Sequence, residues 1–256
     1  MLLAWIGAAL IGVALGMLGS GGSILTVPIL VYLVGEPDKL AIAESLAVVG
    51  LIALVGAIPY GLRRMIDWTS VVWFGLPGMA GTYLGAYLSQ WLPGVWQLGL
   101  FALVMLLAAY FMFRPQQLAK QPHPRKRSPF KIVLEGLSVG ILTGLVGVGG
   151  GFLIVPALVL LGGLPMHLAV GTSLLVIALK SGAGFYKYLH LLPAQGYSVH
   201  WDVVLLFSVL GIAGSFLGGR IAAGIPQLGL RRGFAGFLVL MGAFILWQNL
   251  PKFLPG

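Results

Sequence analysis

Gly16-Met17-Leu18-Gly19-Ser20-Gly21-Gly22-Ser23-Ile24-Leu25-Thr26-Val27-Pro28 sets a run of glycines inside sequence that is otherwise apolar enough to cross a membrane. The spacing returns at Gly144-Leu145-Val146-Gly147-Val148-Gly149-Gly150-Gly151-Phe152-Leu153-Ile154-Val155-Pro156. Gly16, Gly19, Gly21, Gly22, Leu25, Val27 and Pro28 thereby face Gly144, Gly147, Gly149, Gly150, Leu153, Val155 and Pro156. The apolar run around the first copy, 2–34, would be roughly 50 Å long as one straight helix, well beyond a hydrocarbon core of about 30 Å. The chain therefore bends there, and the glycines make the bend cheap in backbone strain. Unwound backbone at membrane depth is tolerated only where it is buried in protein or lines a wet cavity. Where helix resumes near Ser23, unsatisfied N–H groups and the positive end of the helix dipole point back into the break, an arrangement that favours an anion.

Composition puts the chain in a membrane. Of 256 residues, 59% are hydrophobic and 8% charged, with mean hydropathy +1.02, whereas soluble domains carry roughly a quarter charged residues. The net charge of +9 does not imply nucleic-acid binding, because the basic residues lie mostly at the ends of apolar segments, as cytoplasmic flanks do. With no cysteine, disulfides, thiolate metal sites and cysteine nucleophiles are excluded. The first apolar run lacks a basic n-region and a small-x-small cleavage site, so it reads as mature structure rather than a signal peptide.

The expected fold is an all-α integral membrane protein of about eight hydrophobic segments. They cover 2–34, 39–61, 68–91, 95–113, 131–162, 166–189, 201–224 and 230–248, the first and fifth broken by glycine. The polar stretch 114–131, with Arg125, Lys126 and Arg127 among prolines, divides them into two homologous four-segment repeats: 1–113, a basic cytoplasmic connector at 114–130, and 131–256. Ala41-Ile42-Ala43-Glu44-Ser45-Leu46 aligns with Ala169-Val170-Gly171-Thr172-Ser173-Leu174 at the offset that relates the glycine runs. After a short insertion, Trp68 faces Trp201, Gly78-Met79-Ala80-Gly81 faces Gly211-Ile212-Ala213-Gly214, and Phe101-Ala102 faces Phe234-Ala235. Duplication of this kind builds many secondary transporters, with the substrate held between the halves. If every segment crosses, the halves run parallel; if each broken segment is a re-entrant hairpin, they are inverted, and the positive-inside rule prefers the inverted version.

The twice-repeated Gly-x-x-Gly-x-Gly-Gly-x-x-Leu-x-Val-Pro, followed by Ala169 to Leu174 and the small-residue run Gly211 to Gly218, resembles the TauE/SafE family of sulfite and organosulfonate exporters. The resemblance covers nearly the whole chain. It implies a multi-pass carrier of the bacterial or archaeal cytoplasmic (inner) membrane, moving small sulfur oxyanions or sulfonates. One departure stands out, Glu44 in the first half where the second has Thr172.

The candidate substrate site comprises Gly19, Ser20, Gly21, Gly22 and Ser23 with Gly147, Gly149, Gly150 and Gly151, whose amides would converge on an oxyanion, together with Ser45, Thr172 and Ser173. Lys180, the most interior base, is the candidate counter-charge. Against this stands a plainer reading in which the glycines only let helices approach, and for Gly78/Gly81/Gly85 and Gly211/Gly214/Gly218 packing is the preferred role. Glu44 is either solvated near the interface or buried in the site, where it would carry the coupled proton. His190, His200 and Asp202 do not form a compact ligand motif, so no metal and no cofactor is expected. Arg220, Arg231 and Arg232 read as interface anchors, as do Trp68, Trp91, Trp96, Trp201 and Trp247. The expected function is secondary transport of a small sulfur-containing anion by alternating access. An anion channel is the alternative, and an intramembrane enzyme is disfavoured because no nucleophile with a positioned base is evident. The expected partners are the anion and the lipid bilayer, and the small-residue faces are compatible with a homodimer.

Overall fold

The computed structural model describes residues 2–113, 129–146 and 151–253. Most of the connector at 114–130, and Gly147, Gly149 and Gly150 of the second glycine run, lie outside these residues. All regular structure described is helical: α1 (Leu2–Leu18), α2 (Gly21–Ile29), α3 (Asp38–Leu62), α4 (Trp68–Ser70), α5 (Leu76–Leu88), α6 (Gly94–Phe113), α7 (Pro129–Val146), α8 (Gly151–Pro156), α9 (Met166–Leu191), α10 (Trp201–Ala223) and α11 (Gln227–Phe253). Among the described residues, five stretches are long and apolar enough to span a bilayer: Asp38–Leu62, Gly94–Phe113, Met166–Leu191, Trp201–Ala223 and Leu228–Asn249. Each falls within a few residues of an apolar segment read from the sequence. Large apolar side chains such as Val209, Leu240 and Trp247 are more than 60% exposed, which suits a surface solvated by lipid.

Three π-helical turns, Leu30–Val34, Val71–Gly75 and Ala157–Leu161, each lie beside a proline, namely Pro28, Pro77 and Pro156. A proline removes one N–H and crowds the preceding carbonyl, and a widened turn absorbs the misfit without breaking the rod. The chain at 68–88 is therefore one helix, α4 running into α5.

Small residues set the packing. Gly12 and Gly16 of α1 lie against Gly211 and Ser215 of α10, and a methyl on either glycine would strike backbone. Matching residues ascend together, so α1 and α10 run parallel. In the same way, α7 runs parallel to α5, with Gly140 against Gly78 and Gly144 against Thr82. The two longest central helices cross antiparallel, Gly50 of α3 against Ser181 of α9 and Gly56 against Leu174. α6 and α11 also run antiparallel, with Gly242 beside Leu106 and Arg231 donating to the Met112 carbonyl. Close backbone approach supplies the dispersion that holds helices together where lipid removes most of the hydrophobic driving force. The glycine series read as packing devices have that role here.

These directions give the molecule two ends. One carries Arg63, His167 and Arg220 and is basic. The other gathers Glu36, Glu44 and His200.

Candidate functional site

The first glycine stretch breaks the chain at Gly19 and Ser20. α1 stops at Leu18 and α2 starts at Gly21, with Gly19 at φ +72°. Only glycine adopts that angle freely, and a Cβ there would lie 2.8 Å from the Val170 Cα. α2 then folds back on α1: Gly22 faces Ile11 and Leu15, and Ile29 faces Gly7. Gly22 is thus a packing glycine, while Gly19 is needed by the turn. The Ser173 hydroxyl donates to the Gly19 carbonyl at 3.0 Å, and the Ser23 hydroxyl closes on the Ser20 carbonyl at 2.7 Å. The Ser20 hydroxyl is different, because it is fully buried and, among the described residues, caps nothing and makes no hydrogen bond.

Lys180 is fully buried at mid-height on α9, and its Nζ makes no hydrogen bond. The Nζ lies 4.9 Å from the Phe74 ring centroid, and the side chain occupies the space that a Cβ on Gly78 would take. Gly78 therefore serves packing and also makes room for the lysine. Ser181, next in sequence, likewise has a buried hydroxyl without a partner. A buried polar group left unpaired is expensive, so this neighbourhood is where an anion would gain most.

Among the described residues, those expected in the site do not gather at one point. Gly56 lies against Leu174 and Leu46 beside Gly184, so Ser45 and Ser173 stand about 18 Å apart along the antiparallel pair at ~1.5 Å per residue. Lys180 lies between them. Ser173 and the Gly19–Ser20 turn belong to the basic end, Glu44 and Ser45 to the other. Thr172 accepts the Asp67 N–H at 2.8 Å and returns its own hydroxyl proton to the Leu168 carbonyl, which fastens the loop before α4. Glu44 plays the matching part opposite: its Oε1 accepts the His200 N–H at 2.8 Å and fastens the loop before α10. The His200 ring adds a 2.8 Å bond to Glu36, and that carboxylate holds the imidazole above its usual range. Gly151 begins α8.

Sequence reasoning missed the polar cavity at the basic end. It measures about 330 Å³, and Tyr60, Arg63, His167, Ser215 and Arg220 line it. Tyr60 also donates to the Gly16 carbonyl at 3.3 Å, one turn before the break in α1. Arg63 directly after α3, His167 of α9 and Arg220 of α10 meet there only because of the helix crossings, and the sequence showed Arg220 only as an interface anchor. A larger cavity of about 500 Å³ between α3, α9 and α10 is lined by apolar groups including Leu46, Leu54, Leu179 and Val204. It offers an anion no partner.

The sequence model of the family described as "Sulfite exporter TauE/SafE" matches residues 4–245. A probable membrane transporter protein of Xylella fastidiosa is 33% identical over 247 residues, covering 94% of this chain and 92% of its own length. One from Methanocaldococcus jannaschii, MJ0441, is 29% identical over 253 residues, with 93% of each chain covered. The Bacillus subtilis protein YunE, also named a probable membrane transporter protein, is 27% identical over 236 residues, covering 82% of this chain and 83% of its own. No solved structure matches.

Proposed function

Because the chain belongs to the sulfite exporter TauE/SafE family and is a multi-pass membrane transporter rather than an enzyme, we propose that it exports a small sulfur-containing anion, sulfite or an organosulfonate, by alternating access. The two halves act as inverted four-segment repeats. What supports this is matched packing: shifting Gly12 against Gly211 and Gly16 against Ser215 by the repeat offsets gives Gly140 against Gly78 and Gly144 against Thr82. Equivalent helices α3 and α9 cross antiparallel, as an axis in the membrane plane requires.

The observation that carries the transport reading is the asymmetry of the two ends. Both ends fasten a loop, the basic end through Thr172 on the Asp67 N–H and the other through Glu44 on the His200 N–H; they differ in that the basic end, cytoplasmic by the positive-inside rule, also holds the polar cavity of Arg63, His167 and Arg220. A polar cavity on the cytoplasmic side suits the loading of an exporter. The arginines draw an anion in from the cytoplasm; the Ser20 hydroxyl and the Lys180 Nζ, buried and without a hydrogen bond among the described residues, are the groups it would have to reach inside the bundle. Binding at Lys180 would satisfy the buried charge in the substrate-loaded state and let the halves rock. Glu44 would couple a proton by releasing the outer loop when protonated, since a neutral carboxyl holds a backbone N–H less firmly than a carboxylate.

Proteoliposomes loaded with sulfite, taurine or sulfoacetate provide the test. Saturable efflux with counter-exchange, lost in Lys180→Ala, is the expected result. Current that rises with concentration without saturating would replace the carrier by a channel, and no flux of any of these anions would remove the substrate assignment.

A further inference from the structure

The cluster at the end opposite the arginines has a use that transport does not require. Glu36 lies in the loop between α2 and α3, Glu44 in the second turn of α3, and His200 directly before α10. Each offers one ligand atom, and these atoms lie within 4.8 Å of one another. His200 Nδ1 is 2.8 Å from Glu36 Oε1 and 3.8 Å from Glu44 Oε1. Around a tetrahedral ion with bonds near 2.0–2.1 Å, neighbouring ligand atoms stand roughly 3.3 Å apart, so small side-chain rotations suffice.

The independent sign lies inside the helix. Glu44 is fully buried, and while Oε1 takes the His200 N–H, Oε2 has no hydrogen-bond partner. Glu36 adds a second carboxylate, and Asp202 in the first turn of α10 a third acid. Lys39 turns away to the Ser89 carbonyl. One imidazole thus answers several acids, with a carboxylate oxygen left bare.

We propose that Glu36, Glu44 and His200 form a divalent-cation site, with one Glu44 carboxylate oxygen, Glu36 Oε1 and His200 Nδ1 as ligands and the remaining position open towards solvent, where the His200 side chain is 49% exposed. One nitrogen and two carboxylate oxygens suit Zn²⁺ or Co²⁺, whereas Mg²⁺ and Ca²⁺ take all-oxygen sets. The ion ties the α2–α3 loop and α3 to the loop before α10, the segments that the Glu36 and Glu44 hydrogen bonds already join. Spacing could not disclose the site, because its ligands are far apart in the chain; His190 instead bonds the Tyr186 carbonyl.

Tag-free protein in detergent, stripped with a chelator, is titrated with Co²⁺ and then Zn²⁺. The expected result is one ion per chain, a visible Co²⁺ absorption band bleached by Zn²⁺, and affinity weakened by about tenfold or more in His200→Ala and in Glu36→Gln. His190→Ala binds as the wild type does, and gel filtration confirms that each variant is folded. A wild type without stoichiometric Zn²⁺ at micromolar concentration overturns the proposal, and so does binding that survives both His200→Ala and Glu36→Gln. Binding is read without flux, so its failure leaves the transport reading standing, and the reverse holds too.

Discussion

Lys180→Met should make the protein more stable and stop it working. Methionine has about the length of the lysine stem, fits the space beside Gly78, and reaches the Phe74 ring with a polarisable sulfur. What it removes is a fully buried Nζ with no hydrogen bond. Replacing buried ionic groups by apolar side chains of similar volume is often neutral or stabilising by ~1–4 kcal/mol, and an unsatisfied neutral donor costs ~1–3 kcal/mol. Charged or neutral, the amine therefore predicts the same direction. A gain of about 2 kcal/mol corresponds to roughly 4–8 °C in Tm for a chain of this size. Intrinsic tryptophan fluorescence during a detergent melt reads the shift, and proteoliposome efflux reads activity. Sulfite should raise the wild-type Tm, as any ligand of the folded state must, and leave the variant where it is. A variant that melts at or below the wild-type temperature and still exports at full rate would refute the reasoning, because Lys180 would then be neither unpaired nor used.

Other outcomes follow from the same geometry. Gly12→Ala pushes a methyl into the Gly211 backbone and should cost ~1–3 kcal/mol, whereas Gly233→Ala, with open space around it on α11, should gain ~0.4–1 kcal/mol; paired detergent melts compare them. Arg63→Ala and Arg220→Ala should each raise KM for efflux about tenfold with little change in kcat, as loss of a steering charge would, and the effect should shrink as salt rises. Thr172→Val leaves the Asp67 N–H without its acceptor at a cost of ~1–3 kcal/mol, and hydrogen exchange at Asp67 should speed up while exchange at His200 stays unchanged.

The membrane class and the five spanning helices were legible because each depends on local sequence: a long apolar run reads the same whatever packs on it. The Gly19 turn was legible for the same reason, since a left-handed angle inside an apolar run calls for glycine. For Gly22 the packing reading has a contact to show, since its missing side chain lets α2 lie on Ile11 and Leu15, neighbours that the spacing of glycines does not name. Glu44 stood out as a departure from Thr172, but its partner His200 is set by how α3 and α10 meet, and no periodicity encodes that. The cavity of Arg63, His167 and Arg220 was invisible for a related reason. Each base taken singly is an ordinary helix-end cation, and only the crossings put them around one space.

The parallel pairing of α1 with α10 also sets a timetable for the nascent chain. Gly12 leaves the ribosome about 200 residues before Gly211, and at ~5–20 residues per second that interval is roughly 10–40 s. Through that time the small-residue face of α1 has no permanent partner and must lie against lipid, against the insertion machinery or against α2. Neither half can complete itself, because α7 has its groove in the other half's α5. Cells given the two halves as separate chains should recover export only when both are made together, and a half made alone should be degraded.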